Sequence, residues 1–130
     1  MYCAKAIILA SVCSFSAQAQ DIPLDTRAND YFEALNMSFE QKIRAKDLLA
    51  DWNTATLEYN NRHRIDEQNS CYRKSEGEVI IILQFESDGT ISEVYASTDN
   101  EKGKCFINTY KGLRFPQPPM SPVYYLQRMM

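Results

Sequence analysis

The only histidine of the chain, His63, lies three and four residues before Asp66 and Glu67 in a charged stretch. On a helix, these three side chains would share one face, where an imidazole and two carboxylates could bind a metal ion or exchange protons. A lone histidine among charged residues is more often a solvated surface side chain. We therefore expect His63 to have no ligand role.

Cysteines are the second set of residues that could carry chemistry, and the chain has four of them. Cys3 and Cys13 fall in an N-terminal segment that we expect to be removed, which leaves Cys71 and Cys105. In an exported protein, two remaining thiols most simply form one disulfide because the compartment is oxidising. Their spacing is far from the Cys-x-x-Cys of redox pairs. The predicted bond is therefore structural, and it contributes roughly 3–4 kcal/mol in the chain-entropy model.

Other patterns of catalytic residues are missing from the sequence. No serine or threonine has a recognisable His/Asp partner, and the four glycines form no phosphate-binding loop. The acidic residues are scattered over polar stretches. We expect this protein not to be an enzyme, and no motif implies a cofactor or a metal ion.

Residues 1–19 are typical of a secretory signal peptide, with one lysine, an apolar run over residues 6–12 and the small-residue pattern AQA ending at Ala19. The apolar run is too short to span a bilayer, so we expect cleavage after Ala19. A lipoprotein site at Cys13 is the competing interpretation. It is disfavoured because Val12 stands where such sites prefer a small residue.

The mature chain, from residue 20 onwards, is long enough for one compact domain. It carries thirteen basic and seventeen acidic residues, a net charge of −4. With no basic stripe, binding to nucleic acid is disfavoured. No second apolar run is long enough for a membrane span, so we expect no membrane insertion of the mature chain and a free, soluble protein in the periplasm.

Residues 20–70 form the predicted N-terminal helical segment. Asp30 followed by Glu33 is typical of a capping box and predicts a helix start near residue 29 or 30. Two apolar stripes follow with a change of phase between them, which predicts either two helices or one bent helix contacting two surfaces. The first stripe comprises Phe32, Leu35, Phe39 and Ile43, and the second comprises Ala45, Leu48, Leu49, Trp52, Thr56 and Tyr59.

The clearest pattern lies in "GEVIIILQFESDGTISEVYAS", residues 77–97. Its β-branched and aromatic residues predict a strand over residues 79–85, and the first half of this strand is apolar on both faces, as in a covered central strand. Asp88-Gly89 predicts a hairpin turn because glycine accepts a positive φ. Residues 91–96 then form the returning strand.

A helix and a final strand are predicted after the hairpin. Thr98 with Glu101 resembles a capping box, Gly112 and the prolines that follow end the helix, and residues 123–129 form the last strand. The order predicts an α+β fold: N-terminal helices followed by a β-β-α-β three-stranded antiparallel sheet. Its spatial order would be second, first, third strand, with the C-terminal strand at an edge. The apolar positions at helical spacing are Cys105, Phe106, Thr109, Tyr110 and Leu113.

Three segments within residues 71–130 match a known pattern in their order and spacing. They are "GEVIIILQFESDGTISEVY", a strand-turn-strand unit; "KCFINTYKGLRFPQPP", a helix that opens on a cysteine and leads into prolines; and "SPVYYLQRM", the final strand. In these features the segment resembles the C-terminal domain of TolA and, more distantly, of TonB. These are periplasmic modules that link inner-membrane energy to outer-membrane partners.

The resemblance implies a non-catalytic module that binds an extended peptide by adding a strand to a sheet edge. The edge would be formed by Val123, Tyr124, Tyr125, Leu126 and Gln127. The partner would be a periplasmic or outer-membrane envelope protein, a bacteriocin or a phage coat protein. Burial of Tyr124 and Leu126 as ordinary core residues is an open alternative. Two other functions also stay open: an immunity or decoy protein against a periplasmic toxin, and a structural helper of an envelope complex.

Overall fold

The computed structural model describes residues 27–130. The predicted signal peptide, its cleavage after Ala19 and the lead-in before residue 27 lie outside the described residues. The elements in chain order are α1 (Tyr31–Arg44), α2 (Lys46–His63), a 3-10 segment (Ile65–Arg73), β1 (Val79–Phe85), β2 (Ile91–Ala96), α3 (Glu101–Tyr110) and β3 (Val123–Met129).

Strand β1 lies at the centre of a three-stranded sheet in the order β2-β1-β3, with both pairings antiparallel. Six of its seven residues are buried, as expected for a strand covered on both faces. The sheet and the helices confirm the α+β class, and the strand order is the one that the sequence predicts.

The turn between β1 and β2 depends on glycine. Gly89 has φ +90°, a region that side chains with a Cβ rarely adopt. A Cβ at this position would also lie 2.1 Å from the carbonyl oxygen of Phe115. The turn is closed by the Asp88 carboxylate, which accepts a hydrogen bond from the Thr90 N–H at 2.9 Å. The predicted hairpin at Asp88-Gly89 is confirmed.

The outer edge of β2 is covered at its start by residues 112–115. The Ile91 N–H donates to the carbonyl of Leu113, and the Ile91 carbonyl accepts from the N–H of Gly112, both at 2.8 Å. The Phe115 N–H likewise donates to Gly89 at 2.9 Å. This segment thus pairs with β2 much as a short fourth strand would.

The two faces of the sheet pack against different helices. The first, which we call the aromatic face, packs against α2, α3 and the 3-10 segment. Its centre is Phe85, which meets Trp52 edge-on with ring centroids 4.9 Å apart. The fully or nearly buried members of this core include Leu49, Trp52, Ile65, Val79, Ile81, Leu83, Phe85, Phe106, Tyr110, Phe115 and Val123.

The second face, which we call the α1 face, has a much smaller apolar cluster. Ala34 of α1 packs against Ile82 of β1 and Tyr124 of β3, and all three residues are almost completely buried. Tyr95 and Leu126 border this cluster. Because α1 lies on one face and α2 on the other, the chain passes around the edge of β3 between them.

Helix α1 begins as predicted but contacts the sheet with an unexpected side. Asp30 caps it by accepting a hydrogen bond from the Glu33 N–H at 3.0 Å. Its buried residues are Ala34, Ser38 and Gln41. The predicted contact stripe is wrong: Phe32 and Ile43 are 71% and 79% exposed, Phe39 is 48% exposed, and Leu35 is only half-buried.

The reason for this orientation lies in the chemistry of the α1 contact. A small residue, Ala34, lets the helix approach the sheet closely, and Gln41 forms hydrogen bonds to backbone groups of the sheet edge. Removing the Gln41 side chain would leave those buried backbone groups unpaired, at a cost of about 1–3 kcal/mol.

Helices α1 and α2 are separate, since the backbone of Ala45 leaves the helical conformation at φ −117°. The second stripe is confirmed at Leu49, Trp52 and Thr56, whereas Leu48 is 55% exposed. Leu49 and Trp52 share one core with the strands. The domain boundary expected at residue 70, between segments 20–70 and 71–130, stays a prediction.

The N-cap of helix α3 lies two residues after the expected one. Asn100, not Thr98, is the N-cap, and its side chain accepts a hydrogen bond from the Gly103 N–H at 2.8 Å. The Thr98 hydroxyl instead accepts from the Asn100 N–H at 3.3 Å. Leu113 lies beyond the helix, in the segment that covers β2.

The predicted disulfide between Cys71 and Cys105 is present, with a Cα–Cα distance of 5.4 Å. It joins the 3-10 segment to α3. Cys71 is completely buried, and Cys105 is half-buried. The bond therefore fixes the connection between α2 and β1 against the aromatic face.

Candidate binding edge of strand β3

Strand β3 has one side paired with β1 and one side facing outward. The backbone groups of Ile80 in β1 point away from β3, towards the β2 side of the sheet. The Ile80 N–H donates to Ser97 Oγ at 3.0 Å, and the Ile80 carbonyl accepts from the Ser97 N–H at 2.9 Å. Since backbone groups alternate along a strand, Ile81 and Leu83 direct theirs to β3. Their partners there are Gln127 and Tyr125.

The same alternation identifies the outward-facing backbone groups of β3. They belong to Tyr124, Leu126 and Arg128. The predicted edge residues thus fall into two sets. Tyr125 and Gln127 complete the pairing with β1, and only Tyr124 and Leu126 present their backbone outward.

Gln41 of α1 closes the beginning of this outer edge. Its side-chain nitrogen donates to the carbonyl of Pro122 at 2.8 Å, and its side-chain oxygen accepts from the Tyr124 N–H at 2.9 Å. Gln41 is only 5% exposed. Its amide therefore takes the place of a neighbouring strand for one pair of backbone groups.

Beyond Gln41 the edge is open. Within residues 27–130, no hydrogen-bond partner is found for the outward carbonyl of Tyr124, for either backbone group of Leu126, or for the N–H of Arg128. Leu126 is half-buried and Arg128 is exposed. The open stretch therefore lies further towards the end of β3 than the sequence predicts, and Arg128 is a member that the sequence reasoning missed.

Backbone groups alternate in direction along a strand, so Arg128 must face the same way as Tyr124 and Leu126. This alternation could have identified Arg128 from the sequence. No sequence signal indicates Gln41, because its bonds join residues more than eighty positions apart.

A cavity of about 290 Å³ adjoins the closed beginning of the edge, between α1 and α2. Known clefts for drug-sized ligands are roughly 300–1,000 Å³, so this cavity lies at their lower end and has room for a side chain. We call it the edge cavity. Its lining residues are Ser38, Phe39, Gln41, Lys42, Leu49, Asn53, Val123, Tyr124, Tyr125 and Leu126.

The edge cavity has an unbalanced charge. Among residues 27–130, Lys42 is the one lysine or arginine that lines the cavity, and no acidic residue of this range lines it. Lys42 is exposed and forms no ion pair with any residue from 27 to 130. Arg128, in contrast, is paired with Glu78 at 2.5 Å. Lys42 therefore gives the lining of the cavity a positive charge, which favours a negatively charged group.

Two tyrosines on the α1 face of the sheet anchor the residues just before α1. The Tyr124 hydroxyl accepts a hydrogen bond from the Ala28 N–H at 3.0 Å. The Tyr95 hydroxyl lies 3.0 Å from the Ala28 carbonyl and 2.9 Å from the side-chain oxygen of Gln84. Burial raises the pKa of Tyr95 to about 12. Both tyrosines thus remain neutral hydrogen-bonding groups at ordinary pH.

An ion pair completes this anchor. Arg27 donates two hydrogen bonds to the Glu86 carboxylate, at 2.7 and 2.8 Å. These bonds lower the pKa of Glu86 to about 2, with smaller contributions from Ser92 and Gln84, although partial burial acts in the opposite direction. The start of α1 is therefore held to the sheet by polar contacts.

His63 forms no ion pair with Asp66 or Glu67. It is exposed, and its ring packs on Tyr59 with centroids 4.4 Å apart. The Asp66 carboxylate accepts hydrogen bonds from the Asn60 amide and the Tyr72 hydroxyl, and Glu67 pairs with Arg64. The described part of the chain has no cluster of three or more potential metal ligands.

None of the helices between residues 27 and 130 combines the length and the hydropathy needed to cross a membrane.

Comparisons of the chain with protein-family models, with curated proteins and with solved structures found no match. The TolA/TonB resemblance therefore rests on the three sequence segments described above and stays a prediction.

Proposed function

We propose that this protein is an exported, periplasmic binding module of the TolA/TonB C-terminal type, without catalytic activity. It binds an extended segment of an envelope protein, a bacteriocin or a phage coat protein. The segment adds as a fourth strand along the outer edge of β3, where main-chain hydrogen bonds provide affinity and neighbouring pockets provide selectivity.

The observation that carries this proposal is the open stretch of β3 backbone beside the edge cavity. Soluble proteins usually block the edges of their sheets with charges, bulges or covering segments. In this protein the start of β2 is covered by residues 112–115 and the start of β3 by Gln41. The open stretch at Leu126 lies directly next to a partly apolar recess, as a strand-addition site requires.

The decisive variant is Leu126→Pro. The Leu126 N–H faces outward, so a proline removes a hydrogen-bond donor for the partner while leaving the pairing with β1 complete. Tyr125→Pro is a poorer choice because the Tyr125 N–H pairs with β1. Leu126→Ala is the matched control, since it removes the side chain but keeps the donor.

The oxidised mature domain should be used to capture partners from periplasmic extract, with all three forms in parallel. We expect the wild type to capture the partner and Leu126→Pro to lose it. Leu126→Ala should still capture the same partner, with a smaller loss because the mutation trims the lining of the edge cavity. Circular dichroism and thermal unfolding will show that each variant is folded. Equal capture by folded Leu126→Pro would refute binding at the β3 edge.

A second candidate function, the structural helper of an envelope complex, is favoured by the exposed side chains of α1. Phe32, Phe39 and Ile43 together present an apolar stripe that the sheet does not use. Sedimentation analysis of the wild type and of a Phe32→Ser/Ile43→Ser variant tests this function. Concentration-dependent assembly that the variant loses would favour the helper role.

The immunity or decoy function would use the same edge to block a toxin or compete with its receptor. Protection of cells expressing the protein against a periplasmic toxin, lost in Leu126→Pro, would distinguish it from a housekeeping role.

A further inference from the structure

The open edge of β3 is closed at one end. Gln41 already bonds the Pro122 carbonyl and the Tyr124 N–H, so a strand added beside Leu126 cannot continue past that point. The body of α1 occupies the space where the next residues would lie. An incoming chain must therefore either turn away or end there.

The direction of the incoming chain decides which end meets the block. A strand antiparallel to β3 runs from Arg128 towards Tyr124, so its carboxyl-terminal end arrives at Gln41 and the edge cavity. Antiparallel pairing is also slightly more stable per residue than parallel pairing. The favoured orientation thus delivers a carboxyl end to the closed side.

The closed side is suited to a carboxylate and an apolar side chain. Lys42, exposed and without an ion pair in the described part of the chain, stands at the cavity. No acidic residue between positions 27 and 130 lines the cavity to compete for Lys42. Phe39 and Leu49 provide apolar walls, and the volume of about 290 Å³ can hold a side chain.

From this geometry we propose that the occupant of the β3 edge is the C-terminal end of a partner protein. Its backbone pairs with Leu126 and Arg128, its last side chain enters the edge cavity, and its terminal carboxylate binds the Lys42 ammonium. This inference rests on the proposed function, since it specifies the partner of the same edge.

The test uses two random peptide libraries displayed on a carrier protein, one with a free carboxyl end and one with that end fused to the carrier. The oxidised mature domain should select peptides from the first library only. A selected peptide is then synthesised as the free acid and as the C-terminal amide, and both are titrated by fluorescence anisotropy. We expect the amide to bind at least about tenfold more weakly.

Lys42→Met should weaken binding of the free acid to the level of the amide and leave the amide unaffected. Lys46→Met is the matched control, because Lys46 is exposed and lies outside the cavity lining. It should change neither affinity by more than about twofold.

The two hypotheses fail in different ways. If selected peptides lose binding in Leu126→Pro but bind equally as acid and amide, the β3 edge binds an internal segment and the C-terminal inference is wrong. That inference is also wrong if selected peptides depend on an internal Asp or Glu opposite Lys42. If neither library yields a peptide, or if binding survives in Leu126→Pro, the proposed function is wrong, and the inference fails with it.

Discussion

The two faces of the sheet are covered by helices that are attached in different ways. On the aromatic face, large side chains such as Trp52, Phe85 and Phe115 interlock, and the Cys71–Cys105 bond adds a covalent connection. On the α1 face, a small cluster around Ala34 is supplemented by hydrogen bonds from Gln41 and the tyrosines. Apolar burial supplies most of the folding free energy, whereas each net hydrogen bond contributes only about 0.5–1.5 kcal/mol. The aromatic face therefore holds the fold, and α1 is the more easily displaced cover.

The largest difference between the faces should appear on truncating Phe85. This ring is completely buried and contacts Trp52 and Phe115 edge-on, so Phe85→Ala leaves a cavity at the centre of the aromatic face. We expect the free energy of unfolding to fall by about 3–5 kcal/mol in urea titrations. Ile43→Ala is the control for side-chain truncation as such, because Ile43 is 79% exposed and does not contact the sheet, and it should change the free energy of unfolding by less than about 0.5 kcal/mol. Similar losses for both variants would mean that Phe85 is not central to the aromatic core.

Loss of the disulfide should have the next largest effect. In the Cys71→Ala/Cys105→Ala variant, the unfolded chain is no longer restricted by the covalent bond and gains conformational entropy. We expect its free energy of unfolding to fall by roughly 3–4 kcal/mol. Urea unfolding with and without reductant provides the measurement. Reductant should destabilise the wild type and leave the double variant unchanged. A wild type indifferent to reductant would mean that packing alone holds this face.

On the α1 face, Gln41→Leu should cost about 1–3 kcal/mol, because the Tyr124 N–H and the Pro122 carbonyl lose their partner while remaining buried. Amide hydrogen exchange of Tyr124 should accelerate, while that of Tyr125, which pairs with β1, should not. Gln41→Glu retains the acceptor for the Tyr124 N–H but buries a carboxylate against the Pro122 carbonyl, so it should destabilise the protein at least as much as Gln41→Leu. Unchanged exchange at Tyr124 would contradict the role assigned to Gln41.

The smallest predicted effect concerns acid. The pKa of Glu86 is lowered from 4.5 to about 2, mainly by the two hydrogen bonds from Arg27. Its ionised form therefore stabilises the folded state above pH 4.5, and this contribution is lost as the pH falls towards 2. Both side chains are partly solvated, at 49% and 26% exposure, so we expect less than about 1 kcal/mol.

NMR titration of the Glu86 carboxyl carbon tests this prediction. Arg27→Met should raise the pKa of Glu86 towards its ordinary value, whereas Arg114→Met, which removes the partner of Asp88, should not. An unchanged pKa in Arg27→Met would mean that Ser92 and Gln84, not Arg27, hold the carboxylate.

The strands and the disulfide could be predicted because their signals are local or simple. Apolar alternation in residues 79–85 and the Asp88-Gly89 turn led to correct strands and a correct sheet order. The two cysteines outside the predicted signal segment led to the correct disulfide. The orientation of α1 could not be predicted in this way. Apolar periodicity favours Phe32 and Ile43 as the side of α1 that contacts the sheet. In the structure, the sheet instead contacts the small side chain of Ala34, and the Tyr124 N–H and Pro122 carbonyl bind Gln41.

The position of the candidate edge in the sheet could be predicted from the sequence, but its available backbone groups could not. The last strand and its exposed position follow from the pattern of strands and helices. Which of its backbone groups are still available depends on Gln41, a residue distant in sequence, and on the register with β1. Within residues 27–130, the open groups therefore belong to the Tyr124 carbonyl, Leu126 and Arg128 rather than to the whole of residues 123–127.

Trp52 is the only tryptophan of the chain, and its indole contacts Tyr125 of β3, with ring centroids 5.8 Å apart. Its N–H donates to the carbonyl of Pro116, 2.9 Å away, in the segment that leads into the same strand. The protein thus carries a built-in fluorophore next to the strand where a peptide is expected to dock. A shift in its emission spectrum on titration would report docking without any added label.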